Sequence, residues 1–202
     1  MEGGFNLMKY KRLFIVIFII LIGGFILYLS NMRLTAVSAL KANPFIGKEI
    51  RIIKQIDMDW GKVYIVDTLE SIKTAVVEKH GLLWNSSVSF YAEKETLEQE
   101  QIKTIGYMSY TNSKQKQTQV LAMWNEDPKV STIHITREDN EVFIQPTPLN
   151  ELILFTWDEV FNINTTDILA LNEEGKALYY YGYPKGTNIL RDSEFKWHPI
   201  VE

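Results

Sequence analysis

The hydrophobic pattern of the chain changes character once. Residues 13–29, from Leu13 to Leu29, read LFIVIFIILIGGFILYL and hold no charged side chain. As a helix these 17 residues rise about 26 Å, close to the hydrocarbon thickness of a bilayer. They predict a transmembrane helix over 13–30. After it, Leu34, Val37 and Leu40 keep helical spacing until Asn43-Pro44, where the residue before proline is pushed out of the α region. The stretch 31–48 reads as a stalk.

From residue 49 the period is two, not 3.6. Ile50, Ile52, Ile56, Met58 and Trp60 alternate onto one strand face, Asp57 and Asp59 onto the other. A second strand covers 63–68. The next stretch has two readings. Asp67-Thr68-Leu69-Glu70 resembles a helix cap, with Leu69, Ile72, Val76 and Val77 at helical spacing. Alternatively a turn at 69–72 leads into a strand over 73–79, favoured by the β-branched Thr74, Val76 and Val77. The strand is the reading adopted. Strands follow at 88–91, 102–110, 118–124, 130–136, 141–145, 151–157, 168–171 and 177–181. The charged segment 93–101 is a loop or a single helical turn. Short strands with closely spaced turns predict a mainly β domain over 49–202, an antiparallel meander, sandwich or open barrel, with α+β as the alternative.

Charge places this domain. The chain carries −4 overall, and Glu2, Lys9, Lys11 and Arg12 leave 1–30 with +2 and the remainder with −6. An acidic domain repels phosphate, so no nucleic-acid partner is expected. The positive residues before the apolar run favour 1–12 in the cytoplasm and the domain outside, a single-pass protein of the plasma membrane. The run exceeds an ordinary signal-peptide core, which favours a retained signal anchor over cleavage near Ala39. Residues 1–7 (MEGGFNL) resemble a translated ribosome-binding site, so Met8 is the expected start. The chain has no Cys, which removes disulfides, thiolate metal sites and Cys nucleophiles.

The segments IKTAVVEKHGLLWNS (72–86), AMWNEDPKVSTIHI (122–135) and DILALNEEGKALYY (167–180) resemble recurring pieces of uncharacterised single-anchor extracytoplasmic proteins of low-GC Gram-positive bacteria. The resemblance implies that 72–86 is β and that the domain faces the cell envelope. It carries no assigned activity and no site residues.

The residues themselves offer weak chemistry. Asp57 and Asp59 could hold a cation or act as an acid/base pair, but on an amphipathic strand they serve equally as its solvated face. His80, His134 and His198 have no metal-ligand spacing. Ser38/Lys41, Tyr110/Asn112 and Lys185-Gly186-Thr187 imitate a penicillin-binding set only on paper, with the serine on the stalk and the last element permuted. Tyr179, Tyr181 and Tyr183 fall on one side of a strand, with Trp197 downstream. Exposed, such a row would stack on sugar rings or line a peptide groove; buried, it would be core. No cofactor is expected. The sequence thus predicts a membrane-anchored binding module whose partner is an envelope protein, a peptide or a wall polymer. The alternatives are a carboxylate-dependent envelope enzyme and an accessory ectodomain of a membrane sensor.

Overall fold

The structure, a computed structural model, describes residues 3–29, 31–97, 100–186 and 194–201. Helix α1 (Gly3–Leu29) is followed by α2 (Ala36–Ala42). Then come β1 (Arg51–Met58), β2 (Gly61–Asp67), β3 (Ser71–His80), β4 (Leu83–Glu93) and the one-turn α3 (Lys94–Leu97). The chain continues through β5 (Ile102–Thr111), β6 (Gln117–Asn125), β7 (Thr132–Thr136), β8 (Val142–Pro146) and β9 (Leu152–Trp157). A 3-10 turn (Ile163–Thr165) leads to β10 (Asp167–Leu171), β11 (Ala177–Gly182) and β12 (Lys196–Pro199).

The strands form three antiparallel sheets. The first is the meander β1-β2-β3-β4; the second is β5-β6-β9; the third has the order β12-β11-β10-β7-β8. The mainly β expectation holds, and 72–86 is a β-hairpin, with a turn at Gly81-Leu82 between β3 and β4. The arrangement is layered rather than barrel-like. Along β6, Val120, Ala122 and Trp124 pack toward the first sheet while Leu121 and Met123 pack toward the third. Both faces of the middle layer are covered, so β6 is a nearly unbroken apolar run instead of an alternating one. The first sheet is also covered twice. Val63, Ile65 and Val76 face the second sheet; Tyr64, Val66, Ala75 and Val77 face α2.

That last contact changes the expected stalk. Ala36, Ala39, Leu40 and Ile46 are buried on the first sheet, so most of 31–48 is folded onto the domain. Thr35 caps α2, its hydroxyl accepting from the Ser38 N–H at 3.1 Å. Asn43, itself buried, ends it: its carbonyl oxygen on the side chain accepts the Phe45 N–H at 3.0 Å, and Nδ2 donates to Ser86 Oγ at 3.1 Å.

Strand β1 also differs from the simple alternation. Its register against β2 slips between Ile52 and Lys54. One extra residue there inverts the facing of what precedes it. Ile52 is therefore exposed, and Ile53 takes the inward position beside Ile65 and Ile105.

Among the described residues, no helix is long and apolar enough to cross a membrane. The side chains described in α1 run from Tyr10 to Phe25, about 24 Å of rise. The remainder of the expected anchor, 26–30, lies outside the side chains described.

Candidate functional site

Tyrosines 179 and 181 alternate inward from β11, which is held between β10 and β12 with Tyr181 opposite Ile168 and Trp197. The row does not act as one unit. The Tyr179 hydroxyl donates to Asp127 Oδ2 at 2.7 Å, clasping the third sheet to the β6–β7 loop. Tyr181 packs against Trp197 and Phe195, with centroids 5.3 and 4.8 Å away. Tyr183, just past the end of β11, meets the same Phe195 at 4.9 Å. Tyr180, on the other side, stacks on His198 at 5.2 Å and lies under Lys185 Nζ.

Tyr181, Tyr183 and Phe195 form one wall of a cleft of about 690 Å³. Phe90 of β4 and Tyr107 of β5, edge to face with centroids 5.9 Å apart, also line it. The loop after β9, residues 160–164, and Ser109 complete the described lining. Two glutamines of β6 hold that loop: Gln117 Oε1 accepts the Val160 N–H at 3.1 Å, and Gln119 Oε1 accepts the Phe161 N–H at 3.0 Å. Asn162 Oδ1 then accepts the Asn164 N–H at 3.0 Å, opening the 3-10 turn.

The described lining of the cleft is aromatic. Among the described residues lining it, none carries a charge, and the polar groups are the side chains of Ser109, Asn162 and Asn164 and three tyrosine hydroxyls. Burial pushes Tyr181 up to about 12 and raises Tyr107, although Ser109 hydrogen-bonded to Tyr107 acts in the opposite sense. These hydroxyls therefore remain neutral donors at physiological pH. A concave, largely apolar surface with a few amide and hydroxyl groups is the usual make-up of a small-ligand site. Flat rings suit ligands that present C–H faces, and amides suit ligands rich in hydroxyls.

Phe90, Tyr107, Phe195 and the 160–164 loop complete this site with no signal in the sequence. They come from segments far apart along the chain, and only the stacking of the sheets joins them. Tyr179 stands apart from the cleft, engaged with Asp127.

Asp57 and Asp59 do not form a pair. Asp57 lies on exposed β1, directly opposite Lys62. It is bonded by Lys62 Nζ and by Gln55 Nε2 at 3.0 and 3.1 Å. The Lys62 bond, then Gln55, holds its carboxyl below the ordinary range. Asp59 is in the turn after β1. The strand ends at Met58, so the shared face expected for the two acids stops between them. Among the described residues no group of three or more His, Cys, Asp or Glu is placed to hold a metal ion.

A second cleft, about 520 Å³, opens between the first and second sheets over Trp124, Ile72 and Ile105. Its rim charges are already paired: Arg51 and Lys94 with Asp67 at 2.7 and 2.6 Å, Lys103 with Glu126 at 2.6 Å. A ligand there must displace existing ion pairs, whereas the aromatic cleft demands no such exchange.

Compared with known proteins, the chain matches no family model, no curated protein and no solved structure. What the cleft can do follows from its residues alone.

Proposed function

We propose that this chain is a membrane-anchored extracytoplasmic binding module whose aromatic cleft takes a neutral sugar chain of the cell envelope. The observation that carries the ligand class is the lining of the cleft. Aromatic walls from Phe90, Tyr107, Tyr181, Tyr183 and Phe195 surround amide and hydroxyl groups, with no charge among the described lining residues. Aromatic faces bury the C–H faces of sugars, and Ser109, Asn162 and Asn164 are suited to their hydroxyls. Among the described lining residues, a charged peptide or polyanion finds no counter-ion.

The anchor is supported by α1 and by the chain's own composition. The helix has 27 residues, about 40 Å of rise, and the run 13–29 within it is uncharged. Lys9, Lys11 and Arg12 precede that run, the asymmetry that keeps an N-terminus inside. On this reading the N-terminus is cytoplasmic and the domain faces the envelope.

The test is retention of the full chain, in detergent or nanodiscs, on insoluble neutral wall polysaccharide. Retention that is eluted by soluble glycan fragments and lost in Tyr183→Ala supports the reading. A chain that passes through unretained contradicts it.

A further inference from the structure

We propose that the open edge of β8 takes an extended peptide of a partner protein, basic at its C-terminal end, which adds to the third sheet as a further antiparallel strand. The backbone of β8 shows which groups are open. Among the described strands, β8 is the outer one of the third sheet and pairs with β7 alone. At the two ends of that ladder the Arg137 N–H donates to the Glu141 carbonyl and the Thr147 N–H to the Ser131 carbonyl, both at 2.9 Å. Bonded pairs alternate along an antiparallel ladder, so Phe143 and Gln145 bond to β7. Val142 and Ile144 turn their N–H and carbonyl groups to the free edge, and Pro146 turns its carbonyl there. Proline fits this position because β7 needs no N–H from it. Unpaired donors and acceptors along an edge are a template for another strand.

This edge is also unguarded. Strand β1, the outer strand of the first sheet, carries Arg51, Lys54 and Asp57 and a slip in register, the features that keep edges from pairing. Strand β8 holds no charge, and its Val142 and Ile144 are 50% and 55% exposed. Beside it a groove of about 330 Å³ reaches to the outer edge of β9. Phe143 and Trp157 line it, edge to face with centroids 5.6 Å apart. Gln145 Nε2 donates to the Leu154 carbonyl at 3.0 Å and ties the two edges together. Side chains of an added strand alternate, so every second one turns toward this groove.

Charge selects the occupant. The β7–β8 tip and the end of β9 meet where Arg137 bonds Asp139, Glu141 and Glu159. Glu138 and Asp158 stand exposed at the same end, with no ion-pair partner among the described residues. Five acids thus surround the start of β8. An antiparallel strand brings its C-terminal end there, and Lys or Arg at that end is the complement. A second copy, whose domain carries −6, does not supply it.

The probe is the fluorescein-labelled peptide Thr-Val-Thr-Ile-Thr-Lys-Arg amide, followed by anisotropy against the full chain in detergent. Its counterpart ends in Glu-Glu. The basic peptide should bind saturably and the acidic one about tenfold more weakly. Ile144→Pro removes an edge donor without removing a β7 bond and should weaken binding about tenfold. Glu138→Gln with Asp158→Asn lies off the ladder and should narrow the gap between the two peptides, decisively so if Ile144→Pro fails to fold. Tyr183→Ala, in the aromatic cleft, should bind the peptide as wild type does. No saturable binding, or equal binding of the two peptides, overturns the proposal. So does a chain that is dimeric by light scattering and monomeric in Ile144→Pro, which assigns the edge to a second copy.

Discussion

Gly106 of β5 lies directly against Thr74 of β3. A Cβ at position 106 would come within 2.7 Å of Thr74 Oγ1 and 3.3 Å of the Ala122 Cβ. This is where the first and second sheets approach closely, and the glycine permits it. Thr74 is fully buried and its hydroxyl has no hydrogen-bond partner among the described residues, so the neighbouring wall cannot turn aside toward solvent. Gly106→Ala is expected to destabilise the domain by about 1–3 kcal/mol, the usual cost of overpacking. Thr74→Ala in the same chain should recover part of that loss. A double-mutant cycle by denaturant unfolding measures the coupling; strictly additive effects would contradict the contact.

The Tyr179–Asp127 clasp is structural, not part of the cleft. Tyr179→Phe should cost about 1–3 kcal/mol at neutral pH and leave ligand binding unchanged. Burial, then the Asp127 hydrogen bond, pushes Tyr179 up to about 12, above its ordinary value near 10. A raised pKa means a contribution complete below about pH 10 and lost as pH climbs toward 12. The difference in stability between wild type and Tyr179→Phe should shrink over that window, measured by unfolding at successive pH values.

Asp67 behaves in the opposite sense. Its bond to Lys94 lowers its pKa; burial opposes this, and Arg51 lowers it further. A lowered carboxyl stabilises the fold above the unfolded value near 3.9 and ceases to do so as pH falls through the lower folded value. Asp67→Asn should therefore cost about 1 kcal/mol at neutral pH. The gap to wild type should close on acidification below about pH 4. A gap that widens in acid would contradict this pairing.

Topology is testable because the chain has no Cys. On the proposed orientation, Leu69→Cys should react with a membrane-impermeant maleimide in intact cells, because Leu69 is exposed. Labelling that requires permeabilised cells would reverse the orientation.

Much of the fold was legible because its cause is local. Alternation between closely spaced turns marked most strands, and Thr74, Val76 and Val77 decided strand over helix at β3. The parts that were not legible depend on neighbours. The bulge at Ile53 inverts a run that alternation alone sends the wrong way. Helix α2 looked like a stalk because its burial is supplied by Tyr64, Val66 and Val77 of the first sheet. The short β12 carries little pattern of its own and is defined by pairing with β11. For the site, the spacing of Tyr181 and Tyr183 was visible, but their partners Phe90 and Tyr107 are joined to them only when the sheets stack. Asp57 shows the converse: a plausible acid in the sequence becomes an ion-pair partner once β2 places Lys62 across from it.

The claim that most of this rests on is that the aromatic cleft binds a neutral glycan. Saturation-transfer NMR on the full chain in nanodiscs, with soluble neutral wall-glycan fragments, addresses it directly. The account predicts saturation of sugar C–H signals in the wild type, unchanged in Tyr179→Phe and abolished in Tyr183→Ala with the fold intact. No saturation in the wild type, or equal saturation in Tyr183→Ala, would contradict it.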